Sequence, residues 1–180
     1  MQQQAFARLK AQRRAEVVEA TGLRYEEARG VYCATISPKP PLIARCADAA
    51  DVIAAVQFAR HQKFRALIQC GGHGDGGFGF RDDGLAMDHP LTKYAHVAPA
   101  ARAFQAGGGR TVGGADHATQ ALQLAVPSGI NSTTGVYGWT LEGGNGYLTR
   151  NSGLAIDNLL AADAVLVNGS FVSQLERRTR

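Results

Sequence analysis

The sequence predicts an α+β fold, and three observations carry that prediction. A strand-like run, a helical stretch and a second strand-like run follow one another across residues 42–69. Further short strands and one more helix are predicted within residues 85–124, and residues 164–172 have the pattern of a β-hairpin. The chain of 180 residues, with 45% hydrophobic and 19% charged residues, has the composition of a domain with a buried core.

The first part of the chain has a helical composition. Residues 1–20 are rich in alanine, glutamine, arginine and glutamate, and residues 1–40 are therefore assigned to an N-terminal helical arm. Pro38, Pro40 and Pro41 break the chain after it, since proline cannot continue a helix or donate a backbone hydrogen bond.

A βαβ-like unit is predicted to follow these prolines. Residues 42–46 form a short strand, and Asp48 can cap the helix that comes next. Residues 65–69 form the second strand, and a glycine-rich loop follows it directly. The helix between them carries apolar side chains at helical spacing, at Val52, Ile53, Val56 and Ala59.

The later elements are shorter. We predict strands at residues 85–88 and 103–106 and a helix around residues 116–124. A tight hairpin is predicted at residues 164–172, because Asn168-Gly169 separates two runs of β-prone residues.

Two lobes are predicted. A small βαβ-like lobe covers residues 41–95, a second lobe covers residues 96–172, and residues 173–180 form a tail. Loops that are distant in sequence have to meet if they hold one extended ligand, so we expect the glycine-rich loops to converge where the lobes join.

The charge distribution argues against a nucleic-acid partner. The net charge of +4 comes from the ends, because residues 1–14 carry +4 and residues 176–180 carry +2, which leaves −2 for residues 15–175. A nucleic-acid-binding protein is expected to have its basic patch on the folded body. No membrane partner is expected either, because no apolar run approaches the length of a membrane span.

The cysteines and histidines give no metal pattern. Cys33, Cys46 and Cys70 are widely spaced and form no C-x-x-C pair, so neither a disulfide framework nor a thiolate metal site is predicted. Four histidines lack metal-ligand spacing: His61, His89, His96 and His117.

Residues 1–16 have no apolar core of the kind that a signal peptide needs, and a cytoplasmic location is therefore predicted.

Glycine is concentrated where the chemistry is expected. Of 22 glycines, six lie in residues 71–79, five in residues 107–114 and seven in residues 129–153. Glycine lets a backbone approach a ligand closely. Because glycine loses more conformational entropy on folding than other residues, its repeated use indicates a function. The alternative interpretation is three tight turns.

The first glycine cluster has the chemistry of an anion site. Residues 69–79 contain no lysine or arginine, so an anion such as a pyrophosphate would be held there by backbone N–H groups. Gly72, Gly74 and Gly77 spell the G-x-G-x-x-G pattern of a Rossmann dinucleotide site. That interpretation is rejected, because residues 78–84 hold three charges and two glycines where the first helical turns should be.

The order of motifs resembles another dinucleotide-binding family. Residues 69–73, Gln-Cys-Gly-Gly-His, correspond to the R-G-G-G-H loop of the para-cresol-methylhydroxylase-type FAD domain, which is shared by vanillyl-alcohol oxidase and berberine-bridge-enzyme-like proteins. Residues 127–138 are similar to the second FAD loop of that family, and residues 141–148 and 153–160 to the two segments that follow. The resemblance covers residues 41–172.

The resemblance implies a set of FAD-binding residues. The histidine of the loop is in many members bonded through its ring to the flavin C8 methyl group, which makes His73 the candidate attachment site. Asn131 stands where doubly linked relatives have cysteine, so one covalent bond is expected. The implied cofactor-binding residues are Gln69, Cys70, Gly71, Gly72, His73, Gly74, Gly77, Phe78, Ser132, Thr133, Thr134, Gly135, Gly138, Gly143, Gly144, Gly146, Asp157 and Asn158.

Some of these residues have other interpretations from sequence alone. Apart from the resemblance, His73 could have only a hydrogen-bonding role. Asp157 and Asn158 could cap a local turn, or could contact the cofactor or its loops.

The implied function is that of an FAD-dependent oxidoreductase of the oxidase type. In the complete protein, a hydride would pass from a C–H bond beside oxygen or nitrogen in a small-molecule substrate to flavin N5, with dioxygen as acceptor. A catalytic acid or base cannot be named in this sequence, and the domain is expected to be incomplete at its C-terminus.

Two alternatives remain open. The first is a truncated, non-catalytic FAD-domain remnant, which is supported by three departures from the family pattern: Gln69 for arginine, Cys70 for glycine and Glu142 for the third glycine of L-x-x-G-G-G. The second is a nucleotide-binding protein of another fold.

Overall fold

A four-stranded sheet forms the centre of the computed structural model, which describes residues 16–176. Its strands are β1 (Glu16–Glu19), β2 (Leu42–Arg45), β3 (Arg65–Gln69) and β4 (Gly84–Asp88), in the spatial order β1-β2-β4-β3. β2 and β3 both run parallel to β4, and β1 pairs antiparallel with β2. The predicted βαβ-like unit is therefore present with β4 inserted between its two strands.

Both faces of the two central strands, β2 and β4, are covered, which is why residues 42–44 and 85–87 are apolar without interruption. On one face, α2 (Ala49–Gln62) packs its Ala55 and Ala59 against Leu85 and Met87. On the other face, Ile43 and Ala86 lie in a second cluster with Val18, Tyr25, Ala28 and Phe80.

Local signals define the ends of α2. Asp48 Oδ1 accepts a hydrogen bond from the Asp51 backbone N–H at 3.1 Å, so the predicted cap is confirmed. The helix ends at Lys63, which adopts a left-handed conformation with φ of 56°. α2 has 14 residues.

In residues 16–176 there is no helix with both the length and the apolar character that crossing a membrane requires.

The helical assignment of the N-terminal arm is wrong for the residues that the structure describes. Glu16–Glu19 is a strand, and the only helix between it and β2 is the single turn α1 (Tyr25–Ala28). Pairing with β2 outweighs the helical composition, because Val18 is buried against the sheet. The Tyr25 hydroxyl donates to the Pro40 carbonyl at 2.8 Å and fastens the segment to the core. Residues 1–15 lie outside the described residues.

A two-stranded sheet and four short helical segments follow β4. The strands β5 (Ala95–Ala98) and β6 (Ala103–Ala106) pair antiparallel. The helix predicted at 116–124 begins earlier, at Val112, because the Thr111 side chain caps it by accepting from Gly114 N, and it ends earlier, at Gln120. The helical segments are α3 (Val112–Gln120), α4 (Val136–Leu141), α5 (Thr149–Ser152) and a 3₁₀ turn at Ala155–Asn158.

The predicted hairpin is confirmed. It consists of β7 (Ala161–Val165) and β8 (Phe171–Glu176), and the turn between them contains Asn168-Gly169 with Gly169 at φ of 84°. Arg60 of α2 donates to the Asn168 carbonyl at 2.8 Å, which ties the hairpin to the first half of the chain. The division into lobes at residue 95 stays a prediction.

Candidate functional site

Glycine-rich loops from distant parts of the chain meet at Gly71 and Gly135. A Cβ added at Gly71 would lie 2.6 Å from Gly135 Cα, and a Cβ added at Gly135 would lie 2.8 Å from Gly71 N. Two backbones can approach this closely only where neither residue has a side chain. The loop after β3 is thereby joined to the loop before α4.

The second glycine cluster joins the same assembly. Val136 N donates to Arg110 O at 2.9 Å, and Gly113 N donates to Ser132 O at 2.9 Å. A Cβ at Gly113 would lie 2.9 Å from the Ser132 Cβ. The expected convergence of the three glycine clusters is therefore observed.

The later glycines of the third cluster pack on the segment that leads to α4. A Cβ at Gly146 would overlap the Ser128 carbonyl oxygen, and Gly144 O accepts from Ala155 N at 2.8 Å. Gly143 and Gly144 have positive φ of 105° and 76°. This loop is thus shaped by close backbone packing on both of its sides.

Asp157 and Asn158 brace the turn next to this loop. Asp157 Oδ2 accepts from Leu154 N at 3.0 Å, and Asn158 Nδ2 donates to Ser152 O at 2.8 Å and to Leu154 O at 2.9 Å. These contacts support the interpretation that both residues stabilise a local turn. The same turn holds the Gly143–Gly144 backbone through hydrogen bonds from Ala155 N and Ile156 N. Direct contact of either side chain with a cofactor stays a prediction.

His73 is held on three sides at the junction of the loops. Its Nε2 lies 2.8 Å from Thr133 Oγ1, and its Nδ1 lies 3.4 Å from Thr134 Oγ1. The Tyr32 ring stacks on the imidazole, with centroids 4.0 Å apart and planes 16° from parallel. Burial lowers the pKa of His73 below its usual value, and the Asp75 carboxylate offsets this less strongly. The ring is therefore mainly neutral at neutral pH.

Cys70, the neighbouring sulfur nucleophile, is also uncharged, but in its case the uncharged form is the unreactive one. Burial, and then the Asp88 carboxylate, raise the pKa of its thiol to about 11. A thiol is a weak nucleophile until it loses its proton, so Cys70 is a poor nucleophile at neutral pH. Of these two side chains, His73 alone is in a form that can attack an electrophile.

The first loop offers unused backbone donors. Within residues 16–176, the N–H groups of Gly71, Gly72, His73 and Gly74 donate to no protein acceptor. A Cβ at Gly74 would meet nothing within 4 Å, so this face of the loop is open. Successive free N–H groups on an open loop without basic side chains suit an anion such as a pyrophosphate.

α4 presents a second open face. The N–H groups of Tyr137 and Gly138 also donate to no acceptor in the described part of the chain, and a Cβ at Gly138 would meet nothing within 4 Å. Trp139 Nε1 is buried and has no hydrogen-bond partner among these residues. The indole ring packs against glycine backbone, since Cβ atoms added at Gly129 and Gly144 would lie 3.0 Å from Trp139 Cε2 and 2.9 Å from Trp139 Cδ1.

The remaining predicted residues occupy the edges of the site. Gly77, at φ of 66°, packs against the Ile36 side chain, and Phe78 is 78% exposed. Gln69 is the last residue of β3, and its side-chain amide lies next to Gly72, since a Cβ added at Gly72 would be 3.5 Å from Gln69 Nε2. Glu142 ends α4 and is exposed, so its carboxylate is screened by solvent.

The sequence interpretation missed Tyr32 as a site residue. It lies in the segment that was assigned to a helical arm, 41 positions before His73, and no local motif marks it. Its backbone N–H donates to Gly72 O at 2.9 Å, which fixes the position from which the ring stacks. Only the tertiary structure brings this residue to the site.

Three converging glycine loops, free backbone donors and a neutral, immobilised histidine define a dinucleotide-binding domain of the flavoprotein class. Over residues 40–174 the chain matches the sequence profile of the FAD binding domain family. The chain belongs to this family, and within it to the para-cresol-methylhydroxylase-type FAD-dependent oxidoreductases that include berberine-bridge-enzyme-like proteins.

Curated relatives are similar over three quarters of the chain. (R)-6-hydroxynicotine oxidase of Paenarthrobacter nicotinovorans is 34% identical over 134 residues, which cover 74% of this chain and 29% of the relative. Berberine bridge enzyme-like 21 of Arabidopsis thaliana is 28% identical over 156 residues, which cover 84% of this chain and 29% of the relative. The chain thus spans about 29% of the length of these curated relatives.

Solved structures confirm the fold. The 6-hydroxy-D-nicotine oxidase from Arthrobacter nicotinovorans superposes with a TM-score of 0.86 at 30% identity, over 88% of this chain and 35% of that chain. BBE-like 1 of Physcomitrella patens superposes with a TM-score of 0.84 at 27% identity, over 96% of this chain and 37% of that chain. The predicted para-cresol-methylhydroxylase-type α+β fold is correct, and a nucleotide-binding protein of another fold is excluded.

Proposed function

We propose that this chain is the FAD-binding portion of an oxidase that passes a hydride from a C–H bond next to oxygen or nitrogen to flavin N5, with dioxygen as acceptor. The observation that carries the proposal is the Gly71–Gly135 contact, which brings the first glycine-rich loop against the loop before α4. Free backbone N–H groups and a neutral His73 lie at this junction. When bound, FAD supplies the two-electron chemistry, and the protein binds and orients it.

The names of relatives support the substrate class. One relative is an oxidase of hydroxynicotine, a nitrogen compound. Another, 33% identical over 152 residues, is the xylooligosaccharide oxidase of Thermothelomyces thermophilus, whose named substrate is rich in C–O bonds. A small molecule with an oxidisable C–H beside nitrogen or oxygen is the substrate class that we propose for the enzyme to which this domain belongs.

The residues of the first loop and of α4 have separate roles in holding FAD. The N–H groups of Gly71, Gly72 and Gly74 suit the pyrophosphate, because they are free and no lysine or arginine competes for it. The open faces at Gly74 and Gly138 leave room for the ligand.

We further propose that His73 carries FAD covalently through the flavin C8 methyl group. A neutral imidazole has the lone pair that such an attack needs, and the Tyr32 stack holds the ring still. The new C–N bond replaces one methyl C–H bond, and the C–H and imidazole N–H hydrogens leave as protons. The electron pair of the broken bond would pass to the flavin, and dioxygen, the proposed acceptor, would take this pair with the two released protons to form hydrogen peroxide.

The alternative is a non-catalytic remnant that binds FAD weakly or not at all. Gln69 and Cys70 are the residues that favour it, since they replace the usual arginine and glycine. Glu142 supports it less, because its side chain is exposed. The two functions differ in a simple property, which is the colour of the purified protein.

The test uses the absorption spectrum and denaturation with acid. We expect a yellow protein whose flavin fluorescence migrates with the polypeptide on a denaturing gel, and His73→Ala should release that fluorescence. A colourless protein that takes up no added FAD would establish the remnant. A yellow protein that loses all its flavin on denaturation would retain the FAD-binding role and refute the covalent one.

A further inference from the structure

The orientation of the Asn131 amide is determined by a backbone donor. Thr133 N lies 3.1 Å from Asn131 Oδ1, and a backbone N–H can only donate. The atom that faces it must therefore be the amide oxygen, and Asn131 Nδ2 points toward the Tyr32 hydroxyl, 3.5 Å away.

This orientation in turn determines the direction of the Thr133 hydroxyl. Thr133 Oγ1 lies 2.9 Å from Asn131 Oδ1, which has no proton, so the hydroxyl proton points at Asn131. The lone pairs of the same Oγ1 then face His73 Nε2 at 2.8 Å. A hydroxyl has one proton, so this contact needs a proton on Nε2.

We propose that Asn131 and Thr133 are positioning residues that hold His73 in the Nε2–H tautomer and leave the Nδ1 lone pair as the nucleophile for flavin attachment. The inference rests on the proposed covalent function. Nδ1 is only lightly held, because Thr134 Oγ1 lies 3.4 Å away, beyond the usual length of an O–H···N hydrogen bond.

The same contact serves the reaction after the attack. Once Nδ1 has formed a bond to carbon, the ring carries a positive charge until Nε2 loses its proton. The Thr133 hydroxyl accepts the Nε2–H hydrogen bond at 2.8 Å, and the bond becomes stronger as that charge develops. Asn131 keeps the hydroxyl turned in the required direction throughout.

The tautomer can be measured without a cofactor by nitrogen-15 NMR of the imidazole rings above the pKa of His73. The chain has five histidines, and the signal that disappears in His73→Ala identifies the ring. We expect a protonated Nε2 and an unprotonated Nδ1 in the wild type and in Thr133→Ser. Thr133→Val, which cannot accept the bond, should give a mixture of the two tautomers.

Covalent incorporation provides the second readout. Apoprotein from a riboflavin-starved host is mixed with FAD, and protein-linked fluorescence is followed over time after acid quenching. Thr133→Val and Asn131→Ala should slow incorporation about fivefold to tenfold, the effect of losing one hydrogen bond of about 1 kcal/mol. Thr133→Ser should retain the wild-type rate, and thermal unfolding checks that each variant is folded.

The outcomes separate the two proposals. A wild-type His73 with the proton on Nδ1, or Thr133→Val at the wild-type rate, overturns the tautomer inference even if the flavin is linked. Release of all flavin from denatured wild type overturns the covalent function, whereas an Nε2–H spectrum would still support the positioning by Asn131 and Thr133.

Discussion

Replacing Gly71 by alanine should break the junction between the first loop and the loop before α4. The new Cβ would lie 2.6 Å from Gly135 Cα and 3.3 Å from the Thr134 carbonyl carbon. Carbon atoms in van der Waals contact are separated by 3.5–4.0 Å, so about 1 Å of backbone movement is required. Both groups met are backbone atoms and cannot rotate away.

The cost can be estimated from overpacked cores. Inserting a methyl group into a closely packed site destabilises a protein by about 1–3 kcal/mol, and a backbone-to-backbone clash belongs at the upper end, at about 3 kcal/mol. For a domain of this size, that free energy corresponds to a decrease in Tm of about 6–12 °C. FAD binding should weaken as well, because the free N–H groups of the loop would move.

Gly74→Ala is the matched control. It adds the same methyl group to the same loop, but the new Cβ meets nothing within 4 Å. Thermal unfolding of the two apoproteins should therefore differ by several degrees, with Gly74→Ala close to the wild type. Equal Tm values for the two variants would refute the argument that the Gly71–Gly135 contact holds the loops together.

Two further predictions concern ionisable groups. Burial raises the pKa of Asp88 to about 6 from 3.8, so the folded state binds its proton more tightly than the unfolded chain. The stabilisation that the folded state gains from the protonated Asp88 carboxyl is complete below pH 3.8 and is lost as the pH rises through about 6. The unfolding free energy of the wild type minus that of Asp88→Asn should therefore fall by about 3 kcal/mol across this pH window. A difference that is independent of pH would contradict this prediction. Cys70→Ser should leave the protein-linked flavin in place, because the pKa of this thiol is about 11; loss of the linked flavin would make Cys70 the attachment site.

Local sequence signals predicted the elements that depend on local interactions. The Asp48 cap and the Asn168-Gly169 turn each act within a few residues, and both are observed. Of the predicted apolar stripe of α2, Val56 and Ala59 are buried and Val52 packs against the core, whereas Ile53 belongs to neither core cluster. β1 was missed because a strand at Glu16–Glu19 depends on β2, which lies more than 20 positions later. α4 was also missed, since its sequence Val-Tyr-Gly-Trp-Thr-Leu has low helix propensity and follows the packing of Gly135.

The candidate site also combines features that local sequence predicts with features that depend on distant contacts. Glycine clusters and the position of His73 can be recognised along the chain, because both follow directly from residue type and spacing. The tautomer of His73 could not be predicted, since it depends on Asn131 and Thr133, about 60 positions away, and on the distances between their side-chain atoms. Tyr32 illustrates the limit most clearly, because an aromatic residue outside any motif has no recognisable role until its ring is found on the imidazole.

The strand β1 changes how the borders of this domain should be drawn. The family profile begins at residue 40, yet Val18 and Tyr25 are core residues and Tyr32 stacks on His73. Glu16 also accepts a hydrogen bond from Arg45 at 2.9 Å, on the second strand of the sheet. A domain cut at the profile border would therefore lose a sheet edge and one wall of the histidine site together. Sequence variation before residue 40 can thus alter the surroundings of His73 as directly as variation within the glycine-rich loops.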